Sequence, residues 1–340
     1  MPLKISVVVV SRDRAELLSR SIDALINQGL KPTDYEIIIV DDGSSKDDLQ
    51  GLVEGKKSKF GQIKYVRQNP SGLAAGRNLG AKNSSSPIIA FTDNDCIADK
   101  NWLAGILEKF ENETVIGVEG KIIPAEPGKP STGRKLFTNA PQNLGGGKFT
   151  GANSAYRKEI IEKAGWYDEK MNFWREDSEF AFRAMDFGDI AFAEDAIIYH
   201  PLRKYPPLST FNYLFALHNE WVCLFRHNSK YFNYIGYSIF RNLFKSLLAN
   251  GPFVLLIFLL SNNISLSFQF LLAIAIILGL GIYLLYTISS KESIFKLDKN
   301  FTFQEIYFLF LTYIKHLIYW EFLIIGFFRA IFIYNRGARR

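Results

Sequence analysis

The chain has 340 residues, a formal net charge of +6, 48% hydrophobic and 15% aromatic residues, enough for one large domain or two smaller ones. Its two cysteines, Cys96 and Cys223, lie far apart with no metal-type partner at short spacing, which excludes a disulfide framework and fits a reducing compartment. Nucleic acid is excluded as a partner because residues 1–205 show no aromatic-basic pattern; the basic excess flanks apolar stretches, at Arg226, Lys230, Arg241, Lys245, Lys291, Lys296, Lys299, Arg336, Arg339 and Arg340, where it anchors a chain on the cytoplasmic face of a membrane.

The run from Ile5 to Val10 is β-branched and of buried-strand type; Arg12, Asp13 and Arg14 follow too soon for a signal peptide. A helical pattern from Arg14 to Gln28 then puts Leu17, Leu18, Ile22, Leu25 and Ile26 on one face. Tyr35 to Val40 predicts a second strand, ending at Asp41-Asp42-Gly43-Ser44-Ser45. Ile63 to Val66 predicts a third, which leads through Asn69-Pro70-Ser71-Gly72 into a helix carrying Leu73, Arg77 and Asn78. Pro87 to Phe91 predicts a fourth, running into Thr92-Asp93-Asn94-Asp95. Strands alternating with helices imply an α/β fold with a mostly parallel sheet covered on both faces.

In such sheets ligands sit outside the carboxyl ends of the strands. The first strand exits into Ser11-Arg12-Asp13, the second into Asp41-Asp42 and the fourth into Asp93-Asn94-Asp95, so three strands deliver carboxylates to one edge. Two carboxylates converging from Asp93 and Asp95 suit Mg²⁺ or Mn²⁺; as an alternative, they cap the helix that begins near Trp102. An acidic edge repels a phosphorylated ligand unless a cation intervenes, so a metal and a nucleotide together explain the pattern. Neither a Gly-x-Gly-x-x-Gly after the first strand nor a Gly-Lys-Ser/Thr loop is present, which disfavours dinucleotides and P-loop chemistry. Asp13 and Asp42 can accept hydrogen bonds from a base or a ribose, leaving the diphosphate to the metal.

Taken in order, Ile5 to Arg14, Val40 to Ser45, Gly76-Arg77-Asn78-Leu79-Gly80 and Phe91 to Asp95 resemble the nucleotide-sugar half of a family 2 glycosyltransferase of the GT-A fold. Gly151-Ala152-Asn153 resembles that family's acceptor-side loop, and Trp174-Arg175-Glu176-Asp177 its catalytic acid pair at a helix start. The resemblance implies an inverting transfer over about residues 4–201. Asp95 holds the cation, Asp93 assists it or contacts the ribose, and Ser11, Asp13, Asp42, Arg77 and Asn94 lie on the donor side. Asp177 is the general base and Glu176 orients the acceptor, with Gly151, Ala152, Asn153 and Trp174 on the acceptor side. His200 is either a further metal ligand or a structural residue, and Arg77 either reaches a phosphate or is an exposed helix residue. Leu144-Gly145-Gly146-Gly147-Lys148 lacks a strand before it and a helix after it, so a mobile acceptor-site loop is expected rather than a phosphate cradle.

Beyond residue 205 Phe, Leu, Ile and Tyr dominate. Phe211, Leu214, Phe215, His218, Trp221, Val222 and Phe225 recur at helical spacing, which predicts interfacial helices over 206–245. From Ser246 to Ser290 no charged residue occurs. A continuous helix of that length would extend roughly 67 Å, about twice the hydrocarbon thickness, so two spans are expected over 246–290, turning at Ser261-Asn262-Asn263. The segment 291–340 is read as a cytoplasmic loop, an in-plane helix and a basic tail, because Glu305, Thr312, Lys315, His316, Tyr319 and Arg329 share one side of a helical wheel, with Glu321 off it; the alternative is a third span over 304–334, which would put the basic tail outside.

The expectation is a multi-pass cell-membrane protein with its catalytic domain, residues 1–205, on the cytoplasmic side. It would move one sugar from a nucleotide-diphosphate donor, a UDP-sugar, to a membrane-proximal, lipid-linked glycan. Two alternatives stand beside it: a polyprenyl-phosphate glycosyltransferase, and a non-catalytic nucleotide-sugar-binding membrane scaffold. Sugar, linkage and oligomeric state are not legible.

Overall fold

The computed structural model describes residues 3–125, 127, 138–139, 141–171, 174–204, 212–236, 239–247, 250, 314–315 and 318–337. The chain divides into two compact units, Met1–Thr132 with Ala140–Leu202, and Gly133–Asn139 with Arg203–Arg340.

In the first unit the chain runs β1 (Ile5–Ser11), α1 (Ala15–Ile26), β2 (Tyr35–Asp41), α2 (Leu49–Lys56), β3 (Ile63–Arg67), α3 (Leu73–Lys82), β4 (Ile88–Asp93), β5 (Ile97–Ala98) and α4 (Trp102–Lys109). β6 (Val115–Ile123) follows, with β7 (Thr138–Asn139) belonging to the second unit; the first resumes with β8 (Asn153–Arg157), α5 (Lys158–Lys163), α6 (Glu176–Ala184) and β9 (Asp189–Tyr199). Eight strands form one sheet in the order β3-β2-β1-β4-β8-β6-β9-β5. β3, β2, β1 and β4 are parallel, and so are β6 and β9. β8 runs antiparallel to both of its neighbours and the edge strand β5 antiparallel to β9, so the sheet is mostly parallel, as expected, with two reversed strands.

Strand direction positions the site. Ser11 lies opposite Asp41 and Val10 opposite Asp93, so the exits of β1, β2 and β4 share an edge. Because β8 is antiparallel, its first residue, Asn153, pairs with Thr92 and its entry reaches the same edge. β9 ends there too, with Tyr199 opposite both Ile123 and Ile97.

The sheet is sandwiched as two buried faces require. Val7, Val9, Ile37 and Ile39 pack with Leu18, Ile22 and Leu25 of α1 and Trp102, Leu103 and Ile106 of α4. On the other face Val8, Ile38, Val40 and Phe91 pack with Ala74, Ala81, Tyr156 and Phe180. The alternation follows from the two-residue period of a strand, and each fully buried Leu or Ile contributes about 1.5–3 kcal/mol.

In the second unit β7 pairs antiparallel with β10 (Arg203–Lys204). α7 (Asn212–Phe215), α8 (Leu217–Arg226), α9 (Asn228–Lys230) and a π-helical turn (Tyr231–Ile235) follow, and residues 239–247 are helical. The helix Tyr319–Gly337 packs on α8, burying Tyr319, Leu323 and Ala330, and Trp221 Nε1 donates to the Leu323 carbonyl at 3.1 Å. Tyr319 is buried and Arg329 exposed, so the polar side expected for this helix is not one environment. Among the described residues no helix is long and apolar enough to cross a membrane. Residues 248–249 and 251–290 of the expected hairpin, with Glu305, Thr312 and His316, lie outside the described residues.

Candidate active site

The exit of β1 is a tight turn in which Asp13 and Arg14 adopt left-handed backbone, φ 55° and 64°. Ser11 Oγ donates to the Asp13 carbonyl at 3.0 Å and accepts from Asn94 Nδ2 at 2.8 Å, tying the β1 exit to the β4 exit. The Asp13 carboxylate accepts from the Ser45 and Lys46 N–H groups, at 3.0 and 2.8 Å. Led by the Lys46 bond, these hold its pKa below the ordinary value. Asp42 Oδ1 accepts from Gln68 Nε2 and Ser71 N, both at 2.7 Å, and Gly72 N reaches both carboxylate oxygens. The sequence-predicted donor acids Asp13 and Asp42 therefore also build the loops around the donor edge. Neighbouring Asp41 is buried; burial raises its pKa, but the Ser44, Tyr65 and Arg67 donors outweigh it and leave it lowered.

At the exit of β4 the turn closes with Cys96 N donating to the Asp93 carbonyl at 3.2 Å, and β5–β9 pairing carries His200 in beside it. His200 Nε2 lies 3.7 Å from Asp95 Oδ1 and 3.9 Å from Asp93 Oδ2. These separations exceed hydrogen-bonding distance. They fit ligands sharing one ion, since two donors ~2.1 Å from a cation sit about 3.0–4.2 Å apart between right-angle and opposed placements. His200 Nδ1 is 3.2 Å from the Pro201 carbonyl. Donating its proton there leaves the Nε2 lone pair facing two carboxylates, an arrangement that calls for a cation. Two carboxylates and one imidazole suit Mn²⁺ better than the all-oxygen preference of Mg²⁺. Cys96, read from the sequence as having no metal-type partner at short spacing, belongs to the same group, with ligand atoms all within 4.8 Å, because the turn after β4 folds it back beside Asp93; its thiol is packed in the apolar core.

Arg77 is neither exposed nor an open phosphate ligand. It is 4% exposed, with Nη1 2.9 Å from Glu176 Oε1 and Nη2 3.9 Å from Asp93 Oδ1. Its neighbour Asn78 accepts from Tyr167 N and donates to the Tyr167 carbonyl and to Glu169 Oε1, each at 2.9 Å. The Arg-Asn pair thus fastens α3 to the segment leading into α6.

α6 opens after two consecutive left-handed residues, Trp174 (φ 67°) and Arg175 (φ 72°), an uncommon conformation for bulky side chains. Trp174 is 40% exposed, with the Arg175 guanidinium 4.9 Å from its ring centre. Glu176 is buried; desolvation and the adjacent Asp177 push its carboxyl up to about 7, against the pull of Arg77. Asp177 is only partly buried, and its carboxylate accepts from Gly151 N at 2.9 Å and Ser178 N at 2.7 Å. A partly exposed, oriented carboxylate beside a buried ion-paired one can take a proton from an incoming hydroxyl.

On the acceptor side Gly151 meets the acid pair, its N–H donating to Asp177 Oδ2. Ala152 is buried, and the Asn153 amide is committed inside the sheet, accepting from Trp102 Nε1 at 2.8 Å and donating to the Lys121 and Ala196 carbonyls at 2.9 and 2.8 Å. The glycine-rich segment is held rather than loose: Glu119 of β6 accepts from the N–H groups of Gly147, Lys148 and Phe149. Glu119 was missed because nothing marked Val115–Ile123 as a strand reaching this edge; an acid between Val118 and Gly120 was the available signal.

Residues 6–165, just under half of the chain, match the sequence profile of Glycosyl transferase family 2 and form a glycosyltransferase domain. Asp177 and His200 lie beyond that match. Chondroitin synthase of Escherichia coli is 27% identical over 238 residues, covering 58% of this chain and 34% of that protein. Glycosyltransferase AglE of Haloferax volcanii is 26% identical over 211 residues, covering 60% of this chain and 69% of that one. The chain thus spans about a third of the chondroitin synthase. Among solved structures, the mannosyltransferase PcManGT from Pyrobaculum calidifontis, in complex with GDP-Man and Mn²⁺, superposes with a TM-score of 0.57 at 17% identity, covering 93% of this chain and 89% of that one. At that identity the likeness is one of fold.

Proposed function

We propose that this chain is an inverting, metal-dependent glycosyltransferase that moves a single sugar from a nucleoside-diphosphate donor to a membrane-proximal, lipid-linked glycan acceptor. The observation that carries the reading is Arg77: one buried guanidinium reaches Glu176 at 2.9 Å and Asp93 at 3.9 Å, so the acid pair of α6 and the Asp93-Asp95-His200 group belong to one site. A nucleotide-binding scaffold has no need of the partly exposed Asp177.

In the transfer the acceptor hydroxyl attacks the anomeric carbon from the face opposite the diphosphate, and its proton passes to the Asp177 carboxylate. The bond from the anomeric carbon to the diphosphate oxygen breaks, and the diphosphate leaves with that electron pair. Asp93, Asp95 and His200 would hold a divalent cation, Mn²⁺ or Mg²⁺, which when bound supplies Lewis-acid neutralisation of that charge. Glu176, fixed by Arg77, orients the acceptor, and the exposed Trp174 ring offers a sugar a flat apolar face. Ser11, Asp13, Asp42 and Asn94 shape the donor side. A UDP-sugar is the proposed donor.

The membrane assignment draws on the second unit, which buries His218, Asn219 and Glu220 while exposing Phe215, Phe240, Phe244, Leu247, Ile325 and Phe328. Such an exterior fits a lipid interface, and Arg226, Lys230, Arg241 and Lys245 add the charge that anionic headgroups attract. We place the catalytic unit on the cytoplasmic side.

Asp177→Asn tests the base. Transfer from the donor is expected to fall at least ~100-fold with nucleotide affinity unchanged; transfer that survives the substitution would remove Asp177 from that role.

A further inference from the structure

Glu119 is a buried carboxylate in the middle of an apolar strand, 4% exposed, and the transfer chemistry does not use it. Its partners are all donors from one loop: Asn143 Nδ2, Lys148 N and Phe149 N at 3.0 Å each, and Gly147 N. Asn143 ties the loop down further, donating to the Gly120 carbonyl at 3.1 Å and accepting from Gly146 N at 2.9 Å. Three successive backbone N–H groups converge only because Gly146 and Gly147 adopt φ of 85° and 74°, and a Cβ on Gly146 would lie 3.1 Å from Glu119 Oε1. The glycine run therefore wraps the chain around an internal anion.

Two residues beyond Phe149 the Gly151 N–H donates to Asp177 Oδ2 at 2.9 Å. The other bonds to this carboxylate come from the N–H and Oγ of Ser178, its own neighbour on α6. Among the described residues Gly151 is thus the hydrogen-bond donor that reaches the Asp177 carboxylate from outside its helix, and Thr150 alone separates it from the stretch that Glu119 fixes. We propose that Glu119 is a positioning residue for the transfer: it fixes the Asn143–Gly151 loop and, through the Gly151 N–H, the carboxylate of Asp177. A glutamine cannot replace it despite equal size, because an amide offers one accepting oxygen and turns its NH₂ toward the remaining N–H donors.

Amide hydrogen exchange on the full chain reads this directly. In Glu119→Gln the amides of Gly147, Lys148, Phe149 and Gly151 are expected to exchange at least tenfold faster, while those of β1, β2 and β4 keep wild-type rates. Asn143→Ala, which removes one donor and keeps the carboxylate, is expected to fall between. In hydrolysis of UDP- and GDP-sugars with Mn²⁺, KM for the donor should stay within twofold and kcat fall at least tenfold in Glu119→Gln. That split separates positioning from a general loss of fold. Unchanged exchange at Gly151 overturns the proposal, as does unchanged kcat beside a loosened loop, or faster exchange throughout the sheet. The kinetic arm rests on Asp177 as base; a wild-type chain inert toward every donor would count against that reading, while exchange at Gly151 still decides whether Glu119 holds the loop.

Discussion

A guanidinium buried among Glu176, Asp93 and Asp177 is held charged by their combined field, in spite of desolvation. Removing one member of a buried pair leaves the other uncompensated, typically at 3–5 kcal/mol. Arg77→Met is therefore expected to lower stability by about that amount and to abolish transfer; a wild-type melting temperature would contradict the buried pairing. Arg77→Lys keeps the charge but loses the fork that reaches two acids, so activity should fall while the fold survives. Glu176 gives a pH signature. Its carboxyl is raised from an ordinary 4.5 to about 7, first by burial and then by Asp177. Folding therefore favours the protonated form, so stability is greatest below the unfolded value and is lost as pH rises through about 7. Thermal melts from pH 5 to 8 should show a decline that Glu176→Gln flattens; equal slopes would contradict the assignment. Much of this site was legible: Asp93, Asp95, Glu176, Asp177 and His200 sit at strand exits or a helix start, where acids and imidazole stand out. Arg77 was not, because helical spacing does not tell a buried arginine from an exposed one, and Asn153 read as an acceptor contact because its commitments to Trp102, Lys121 and Ala196 come from distant segments.

β1 to β4 were read to within a residue or two from their β-branched runs, and so was α1. β6 and β8 were not: Gly117, Glu119 and Gly120 break the apolar run of β6, and β8 is short, so the reversal at β8 left no local trace. That reversal has a testable consequence at the entry to β8. A Cβ on Gly151 would collide with Arg77 Nη2. Gly151→Ala should displace either the guanidinium or the loop, and lower kcat at least tenfold with the fold retained; a fully active variant would contradict the close approach. Elsewhere in the sheet, Glu36 of β2 accepts from Ser6 Oγ and Ser85 N, both at 2.6 Å, and pairs with Lys64 of β3 at 2.6 Å. Burial alone would raise its pKa, but these donors and the Lys64 charge leave it lowered. Its contribution is present above the ordinary carboxylate value and is lost as pH falls through the lowered one. Urea titrations below pH 5 should show acid destabilisation that Glu36→Gln reduces.

For the chain as a whole, the change in composition after residue 205 was visible from Phe, Leu and Ile alone. The burial of polar residues within the second unit was not, since burial of Glu220 depends on Tyr231, whose O–H donates to it at 2.9 Å. If that exterior meets lipid, the full chain should float with vesicles containing anionic lipid, and Phe215→Ser with Phe328→Ser should weaken the association; equal flotation would contradict the surface assignment. The central claim is that one sheet edge joins a metal-held diphosphate to a base. The most direct measurement is release of nucleoside diphosphate from a panel of UDP- and GDP-sugars by the purified chain, with Mn²⁺, Mg²⁺ or EDTA, beside Asp95→Asn. Release from one donor that needs the cation and disappears in Asp95→Asn is the expected result. Release that persists in EDTA and in the variant would contradict the metal-held diphosphate.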